Sequence, residues 1–489
     1  MENQVNVGSE IEVRTTKIKE LKEQGINPYA PKFEPTVSIK EARESEDGKK
    51  VKVAGRIVSR RIMGKLSFMQ IQDVFAKVQI SVGRNEISEQ DFDFYKKMID
   101  IGDHIGIEGE VYTTHTGEKT VRALKFQLLS KAMRPLPEKF HGLTDSDIRY
   151  RQRYLDLISN ENTRKVLLGR TRFLSYLRRF LTDENFIEVE TPILQSAVCG
   201  AAAKPFYTKH NALDKVCNLR IAPEVYLKQV IAGGFNRVFE VAKVFRNEGM
   251  DTQHLQEFTM CEWYAAYFNF EDNIELFTRF VQGFIKEEFG DLKIPYHGQI
   301  LDFSGKKIRK IDYTAEVNKT CGFDVLEVSS RDELVKKLIA NKVLDKSEFV
   351  PIKTMGGVID LVYKRKIRPS IFQPAFLYNY PTCLVPLARE NDEDHRRIEM
   401  FQFLVDGIEL CKAYSELVDP VLQREKLEDQ AKHRAEGDDE AQDLDEDFLL
   451  AMEHGMPPIS GLGIGIDRFV QVVYDQESIR DTVLFPLMK

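Results

Sequence analysis

No run of eighteen apolar residues occurs anywhere in this 489-residue chain, so no membrane-spanning helix is expected. The polar, charged stretch from Met1 to Glu20 lacks the apolar centre of a secretion signal. Cysteine is scarce. The six lie scattered at 199, 217, 261, 321, 383 and 411, without a CxxC pair or a Cys–His pair at zinc spacing. Neither a zinc site nor a disulfide framework is expected, and a reducing cytoplasm is the expected location. The dinucleotide fingerprint is missing as well, since no strand precedes glycines at its spacing. An overall excess of basic charge is also lacking. The net charge of −7 argues against bulk attraction to nucleic acid. No internal repeat is visible.

What is present is enough for a large core and more than one domain: 42% hydrophobic and 30% charged residues. The charge is unevenly spread. Nine basic residues and one acidic residue, Asp73, fall between Lys49 and Arg84, whereas Glu436 to Asp447 carries eight acidic residues and no base. The acidic run reads as a solvated loop or helix edge.

Residues 10–24 read as a basic amphipathic helix stopped by Gly25 and Pro28. Residues 51–130 then alternate in strand fashion, with one helix near Asp91–Ile99. Five short strands and a helix fit an OB-fold barrel. Arg134-Pro135-Leu136-Pro137 reads as a stiff linker. The expected organisation is an N-terminal helix and extension (1–45), the barrel (46–133), a linker (134–140) and a larger α+β domain (141–489). Residues 421–436 read as a polar surface helix between two strands.

The richest chemistry lies in Phe245-Arg246-Asn247-Glu248, followed by His254, Phe258, Glu262 and Tyr264. Strands are expected on both sides, and residues of one strand parity share a face. A hairpin here would gather an Arg for phosphate or carboxylate, aromatics for a base, and carboxylates for an amine. The plainer alternative is a hairpin with a salt-bridged face. Gly461-Leu462-Gly463-Ile464-Gly465-Ile466-Asp467-Arg468 adds alternate glycines, which leave room over a strand for a flat ligand. A third segment, Asn185 to Leu194 with Pro192, reads as a helix end running into a strand.

In this order the Asn185, Phe245 and Gly461 segments resemble motifs 1, 2 and 3 of the class II aminoacyl-tRNA synthetases. Several further segments resemble the lysyl members: Arg149 to Ile158, Gly200-Ala201-Ala202-Ala203-Lys204-Pro205-Phe206, Leu219 to Glu224, Ala413 to Leu417, and Arg60 to Lys65 with Arg134 to Pro137. The likeness runs from about residue 14 to the end. It implies an α+β fold, with an N-terminal OB-fold barrel followed by a class II catalytic domain, an antiparallel sheet flanked by helices. The activity it implies is ATP-dependent formation of lysyl-adenylate and transfer to the 3′ end of tRNA(Lys), in a homodimer without a membrane association.

By that resemblance Arg246 and Arg468 are the catalytic cations. Arg246, Glu248, His254, Phe258, Glu409 and Arg468 bind ATP; Gly200, Glu224, Arg246, Glu262, Tyr264, Tyr414 and Glu416 bind L-lysine. Glu409 is the expected magnesium ligand, with Gln402 a doubtful second. Arg61, Phe68 and Gln79 are expected to read the anticodon. An exposed strand aromatic can stack a splayed base while Arg and Gln read its edge. Phe68 has the alternative of being barrel core. Glu262 and Glu416 have the alternative of being surface carboxylates, which their apolar neighbours disfavour.

The chain departs from the family at three places. Gln402 stands where a second metal-binding Glu is usual, Lys412 where Asn is usual, and Val198-Cys199-Gly200 where Pro-Gly-Gly is usual. The first removes a negative charge and the second adds a positive one, so the Lys412 ammonium is a candidate for part of a metal ion's role on the phosphates. The rival readings are an aspartate- or asparagine-specific synthetase, which would need a cation facing the substrate side chain, a lysine-activating paralogue with a non-tRNA acceptor, and a non-catalytic nucleic-acid-binding scaffold.

Overall fold

The computed structural model describes residues 2–137, 143, 145–305, 308–350, 352–385, 387–435 and 441–488. Contacts divide the chain into two compact units, Met1–Arg164 and Lys165–Lys489. The boundary expected at 140–141 and the end of the expected linker lie outside the described residues, as do 436–440 of the acidic run.

In the first unit α1 (Glu2–Glu23) starts earlier than the expected residue 10, because no proline interrupts residues 2–9. It stops where Gly25 adopts φ 73°. Strands β1 (Lys50–Met63), β2 (Leu66–Gln72), β3 (Lys77–Gly83), β4 (His104–Thr113) and β5 (Lys119–Ser130) close a barrel in the order β1-β2-β3-β5-β4. Helix α2 (Glu89–Met98), capped by Ser88, follows β3. Period-two alternation sets the inside of the barrel. Ser67, Met69 and Ile71 of β2 are buried, while Leu66, Phe68 and Gln70 point outward and are half-exposed.

The second unit is built on one eight-stranded sheet. Among its elements are α3 (Glu161–Asp183), β6 (Ile187–Glu188), α4 (Glu224–Ala232), β7 (Arg237–Phe245), β8 (Glu257–Ala266), α5 (Phe270–Phe289), β9 (Arg309–Asp312), β10 (Ala375–Pro381), β11 (Arg397–Val405), β12 (Ile408–Ser415), α6 (Pro420–Ala435), α7 (Glu446–Glu453), β13 (Ile459–Gly465) and α8 (Ile466–Val473). The strand order is β9-β10-β11-β12-β13-β8-β7-β6. Pairing is antiparallel from β10 to β7, and the outer pairs β9–β10 and β6–β7 are parallel.

One face of the sheet is packed shut. Cys261 and Trp263 of β8 meet Phe277, Phe280 and Phe284 of α5 and Phe173 of α3, all buried. Each such large side chain contributes about 1.5–3 kcal/mol on burial. The opposite parity of β8 is thereby free to face the other side, where the site lies. The polar helix expected at 421–436 is α6, between β12 and β13.

Candidate active site

The open face of the sheet carries a cavity of about 310 Å³. Strands β7 and β8 pair over their whole length, from Arg237↔Ala265 to Phe245↔Glu257. The polar loop between them turns back over the sheet, and Arg246, Glu248, His254, Phe258, Glu262 and Tyr264 all line the cavity. Gly200, Glu224, Glu409, Tyr414, Glu416 and Arg468 line it too. Every residue expected to bind ATP or lysine therefore borders one space, although these residues span 269 positions of the sequence, from 200 to 468.

Three carboxylates crowd one side. Glu224, Glu262 and Glu416 are 5%, 4% and 2% exposed, so Glu262 and Glu416 are not surface groups. Tyr264 donates its hydroxyl to Glu262 Oε2 at 3.1 Å, and Tyr414 donates to Glu224 Oε1 at 2.7 Å. Burial pushes the Glu262 carboxyl well above the usual carboxylate range, with Glu224 beside it adding to the effect. Burial likewise pushes Glu416 up to about 8. Both tyrosine hydroxyls are raised by burial, then by Glu224. Such a cluster favours positive charge beside it.

The cationic groups stand nearby. Arg246 is half-buried and makes only long contacts to the Ile221 carbonyl, 3.4 Å from both Nε and Nη2. Its guanidinium lies over the Phe258 ring, 5.2 Å from the centroid. Burial lowers its pKa, and Glu248 and Glu262 act against that. Arg468 opens α8 and donates to the Gln253 carbonyl at 3.2 Å. His254 is exposed and its Nδ1 lies 2.7 Å from Asp251 Oδ2.

Of the alternate glycines, Gly463 and Gly465 border the cavity with no atom crowding their Cβ positions below 3.3 Å, and Gly461 differs. A Cβ on Gly461 would lie 2.2 Å from Tyr264 Cε1 and 2.7 Å from Glu416 Oε1. The space over Gly461 is filled by these two pocket side chains and is not left open for a flat ligand. Gly200 needs its hydrogen twice over: φ is 92°, and a Cβ would approach Glu224 Cβ to 3.1 Å.

A β-bulge places Glu409. Phe403 pairs with Cys411 and Leu404 with Glu409, so Leu410 is an extra residue and turns into the core. The bulge moves Glu409 onto the cavity face, which Lys412 and Tyr414 share by strand parity. Gln402 pairs with Lys412 across the strands. The Gln402 amide donates to Glu409 and accepts from the Tyr380 hydroxyl at 2.7 Å. Among the described residues no group of three or more His, Cys, Asp or Glu could hold a metal. This donor set, one carboxylate with an amide already engaged, suits a magnesium ion carried by substrate phosphates and not an ion held by protein alone.

Several residues here escaped sequence reasoning. Lys228 is buried between Glu224 and Glu416. Asp467 accepts from Arg170 Nη2 at 2.9 Å and from the Thr259 backbone N–H at 2.7 Å, pinning α8 to β8 and α3. Gln442 Oε1 accepts from Gly200 N–H at 3.2 Å, and Asp443 Oδ2 from Val198 N–H at 2.7 Å. Part of the acidic run thus clasps the Val198-Cys199-Gly200 loop and is not merely solvated. The Asp467-Arg468 pair was visible in the sequence; the partners of Asp467 were not.

In the first unit Phe68 lies on the outside of the barrel and takes no part in its buried core. Arg61 faces it directly across β1–β2, and Gln79 of β3 sits one diagonal step away, opposite Gln70. Gln79 Nε2 donates to Thr120 Oγ1 at 3.0 Å.

Comparison with known proteins accords with both units. Residues 51–129 match the OB-fold nucleic acid binding domain, and residues 145–489 match the tRNA synthetases class II (D, K and N). A lysine–tRNA ligase of Staphylococcus haemolyticus (strain JCSC1435) is 39% identical over 495 residues, 99% of each chain. That of Staphylococcus aureus (strain MW2) is 41% identical over 492 residues, 98% of each chain. With that match over most of its length and relatives of about 40% identity along the whole chain, the protein belongs to the class II tRNA synthetases of the D, K and N group.

Proposed function

We propose that the protein is a lysine–tRNA ligase that uses ATP. The observation that carries this reading is the pairing, in one cavity, of three buried carboxylates with a phosphate-ready cation pair, Arg246 and Arg468. A substrate carboxylate side chain would meet like charges among Glu224, Glu262 and Glu416, which disfavours aspartate as the substrate. An ε-ammonium would be met by Glu262, Tyr264 and Glu416, and an α-ammonium by Glu224 and the Gly200 carbonyl.

The chemistry asks for in-line positioning and charge neutralisation. A lysine carboxylate oxygen attacks the α-phosphorus, the bond to the β-phosphate oxygen breaks, and pyrophosphate leaves. Arg246 bridges the attacking carboxylate and the α-phosphate. The face of Phe258 away from Arg246 takes the adenine, with Arg468 on its other side and Glu248 accepting from the adenine amino group. Arg468 and His254 meet the γ-phosphate. The tRNA terminal hydroxyl then attacks the acyl carbon and AMP departs. Lysine-dependent ATP–pyrophosphate exchange and charging of tRNA with a UUU anticodon test this reading together.

Glu409 would hold Mg2+, which would supply neutralisation of phosphate charge. Lys412 has no carboxylate partner among the ion pairs of the described residues and adds a fixed positive charge to the same face. Lys412→Asn should therefore raise the magnesium concentration needed for half-maximal exchange, and Gln402→Glu should shift it the opposite way. Coupling of about 0.5–3 kcal/mol is expected in a double-mutant cycle. Strictly additive effects would count against shared work by the two residues.

Phe68→Ala should weaken tRNA charging about tenfold, within the roughly 1–3 kcal/mol of one stacked base. Lysine-dependent exchange without tRNA should stay unchanged, because Phe68 belongs to the barrel. Equal loss in both assays would assign Phe68 a structural role.

A homodimer in the cytoplasm completes the proposal. Ile187, Ile193 and Leu194 are 50%, 44% and 50% exposed in a segment expected to form a two-fold contact. No helix among the described residues is long and apolar enough to cross a membrane. Sedimentation at micromolar concentration should give twice the chain mass; a fully active monomer would contradict it.

A further inference from the structure

Behind the carboxylates on the amine-binding side of the cavity lies an ammonium group. Lys228, on α4, is 1% exposed. Its Nζ lies 2.6 Å from Glu224 Oε1 and 2.5 Å from Glu416 Oε2. The rings of Tyr414 and Phe448 flank it, with centroids at 5.7 and 5.8 Å. It therefore touches the two carboxylates read above as partners of the substrate's α- and ε-ammonium groups.

Formal charge explains why a cation belongs there. The cavity in front of it is lined by Glu224 from α4, Glu262 and Tyr264 from β8, Lys412 and Tyr414 from β12 with Glu416 just beyond it, and Arg246; the Cys199 thiol, which burial keeps protonated, also feels the Lys228 charge. On the proposed reading Arg246 answers to the substrate carboxylate, and Lys412, across the strands from Gln402, to the phosphates. That leaves three carboxylates and Lys228. Three unbalanced buried carboxylates would be costly. We infer that Lys228 is a positioning and specificity-determining residue. It is a permanent internal ammonium that orients Glu224 and Glu416 and leaves two uncompensated carboxylates, the number that a substrate with two ammonium groups cancels. An amino acid with an uncharged side chain leaves one of them buried and unpaired. This inference rests on the lysine–tRNA ligase reading.

The protonation behaviour agrees with the geometry. Burial works against the Lys228 charge, but Glu224 and Glu416 more than offset it and hold its pKa above the usual value. Burial pushes Glu416 up to about 8, and Lys228 is the strongest influence pulling it back. Below that pH the empty site holds a proton that the substrate ammonium must expel. Lysine affinity should therefore fall as pH drops through about 8, and the Glu262 carboxyl, also raised by burial, should deepen that fall.

Calorimetric titration of L-lysine into the full-length protein from pH 6.5 to 9.5 tests the inference, with ATP titrated as a control. Lys228→Met should move the midpoint of the pH dependence upward by about one unit or more, because a neighbouring opposite charge is worth about 1–3 units. Affinity at pH 7 should then fall about tenfold relative to wild type, and the ratio of the two should narrow as pH rises, since titration of the substrate's own α-ammonium is common to both proteins, with ATP affinity unchanged. Lys228→Arg should keep the wild-type midpoint, and Lys228→Gln gives the same reading if the methionine variant does not fold. An unmoved midpoint, or a loss equal at every pH, would overturn the role of Lys228. Absence of lysine binding by the wild type would instead overturn the functional reading itself.

Discussion

Arg246→Ala is expected to abolish lysine-dependent ATP–pyrophosphate exchange while leaving the protein folded. The guanidinium makes only 3.4 Å contacts to the Ile221 carbonyl and lies over Phe258, so little of the fold depends on it. Its proposed work lies in the transition state, where it spans the attacking carboxylate and the α-phosphate. Two charge-assisted hydrogen bonds at about 1.5–3 kcal/mol each correspond to a loss of more than about a hundredfold in rate. Exchange assays with matched melting curves decide the matter. A folded variant that keeps more than about a tenth of wild-type exchange, a difference of only ~1.4 kcal/mol, would remove Arg246 from the centre of the chemistry.

The second large effect should come from Glu416→Gln. The carboxylate is 2% exposed and pairs with Lys228 at 2.5 Å. Its loss leaves the substrate's ε-ammonium with the Glu262 carboxylate and the Tyr264 hydroxyl, and removing one partner of a buried pair costs about 3–5 kcal/mol. The kcat/KM for lysine should fall by more than about a hundredfold, with the ATP dependence unchanged. The variant should also lose the pH dependence that comes from Glu416, the group pushed up to about 8. An unchanged pH profile in a weakened enzyme would mean that another group, Glu262 foremost, carries that titration.

The sequence made the hairpin face legible because strand parity is a local property. Phe258, Met260, Glu262 and Tyr264 recur at every second residue, and the alternate residues Cys261 and Trp263 are apolar, so the two faces separate in the sequence itself. The barrel was legible for the same reason, although the pattern left open whether Phe68 faces out or into the core. Three things were not. The bulge at Leu410 is a backbone irregularity with no compositional mark, yet it decides which way Glu409 points. Lys228 lies in an ordinary helical pattern, and its partner Glu416 is 188 positions away. The clasp of Gln442 and Asp443 on the Val198–Gly200 loop sits in a run whose charge suggested solvent. Gly461 shows the opposite failure. The motif was seen, but the atoms its missing Cβ admits belong to Tyr264 and Glu416.

The most direct test of the central claim is a single pair of assays on the purified full-length protein. ATP–pyrophosphate exchange is measured with each amino acid in turn, followed by aminoacylation of tRNA with a UUU anticodon. The account predicts exchange with lysine far above that with aspartate or asparagine, and lysine esterified to that tRNA. Exchange driven by aspartate or asparagine would contradict the reading of the carboxylate-lined pocket. Lysine-dependent exchange without any charging of the tRNA would contradict the ligase assignment and favour a different acceptor for the activated lysine.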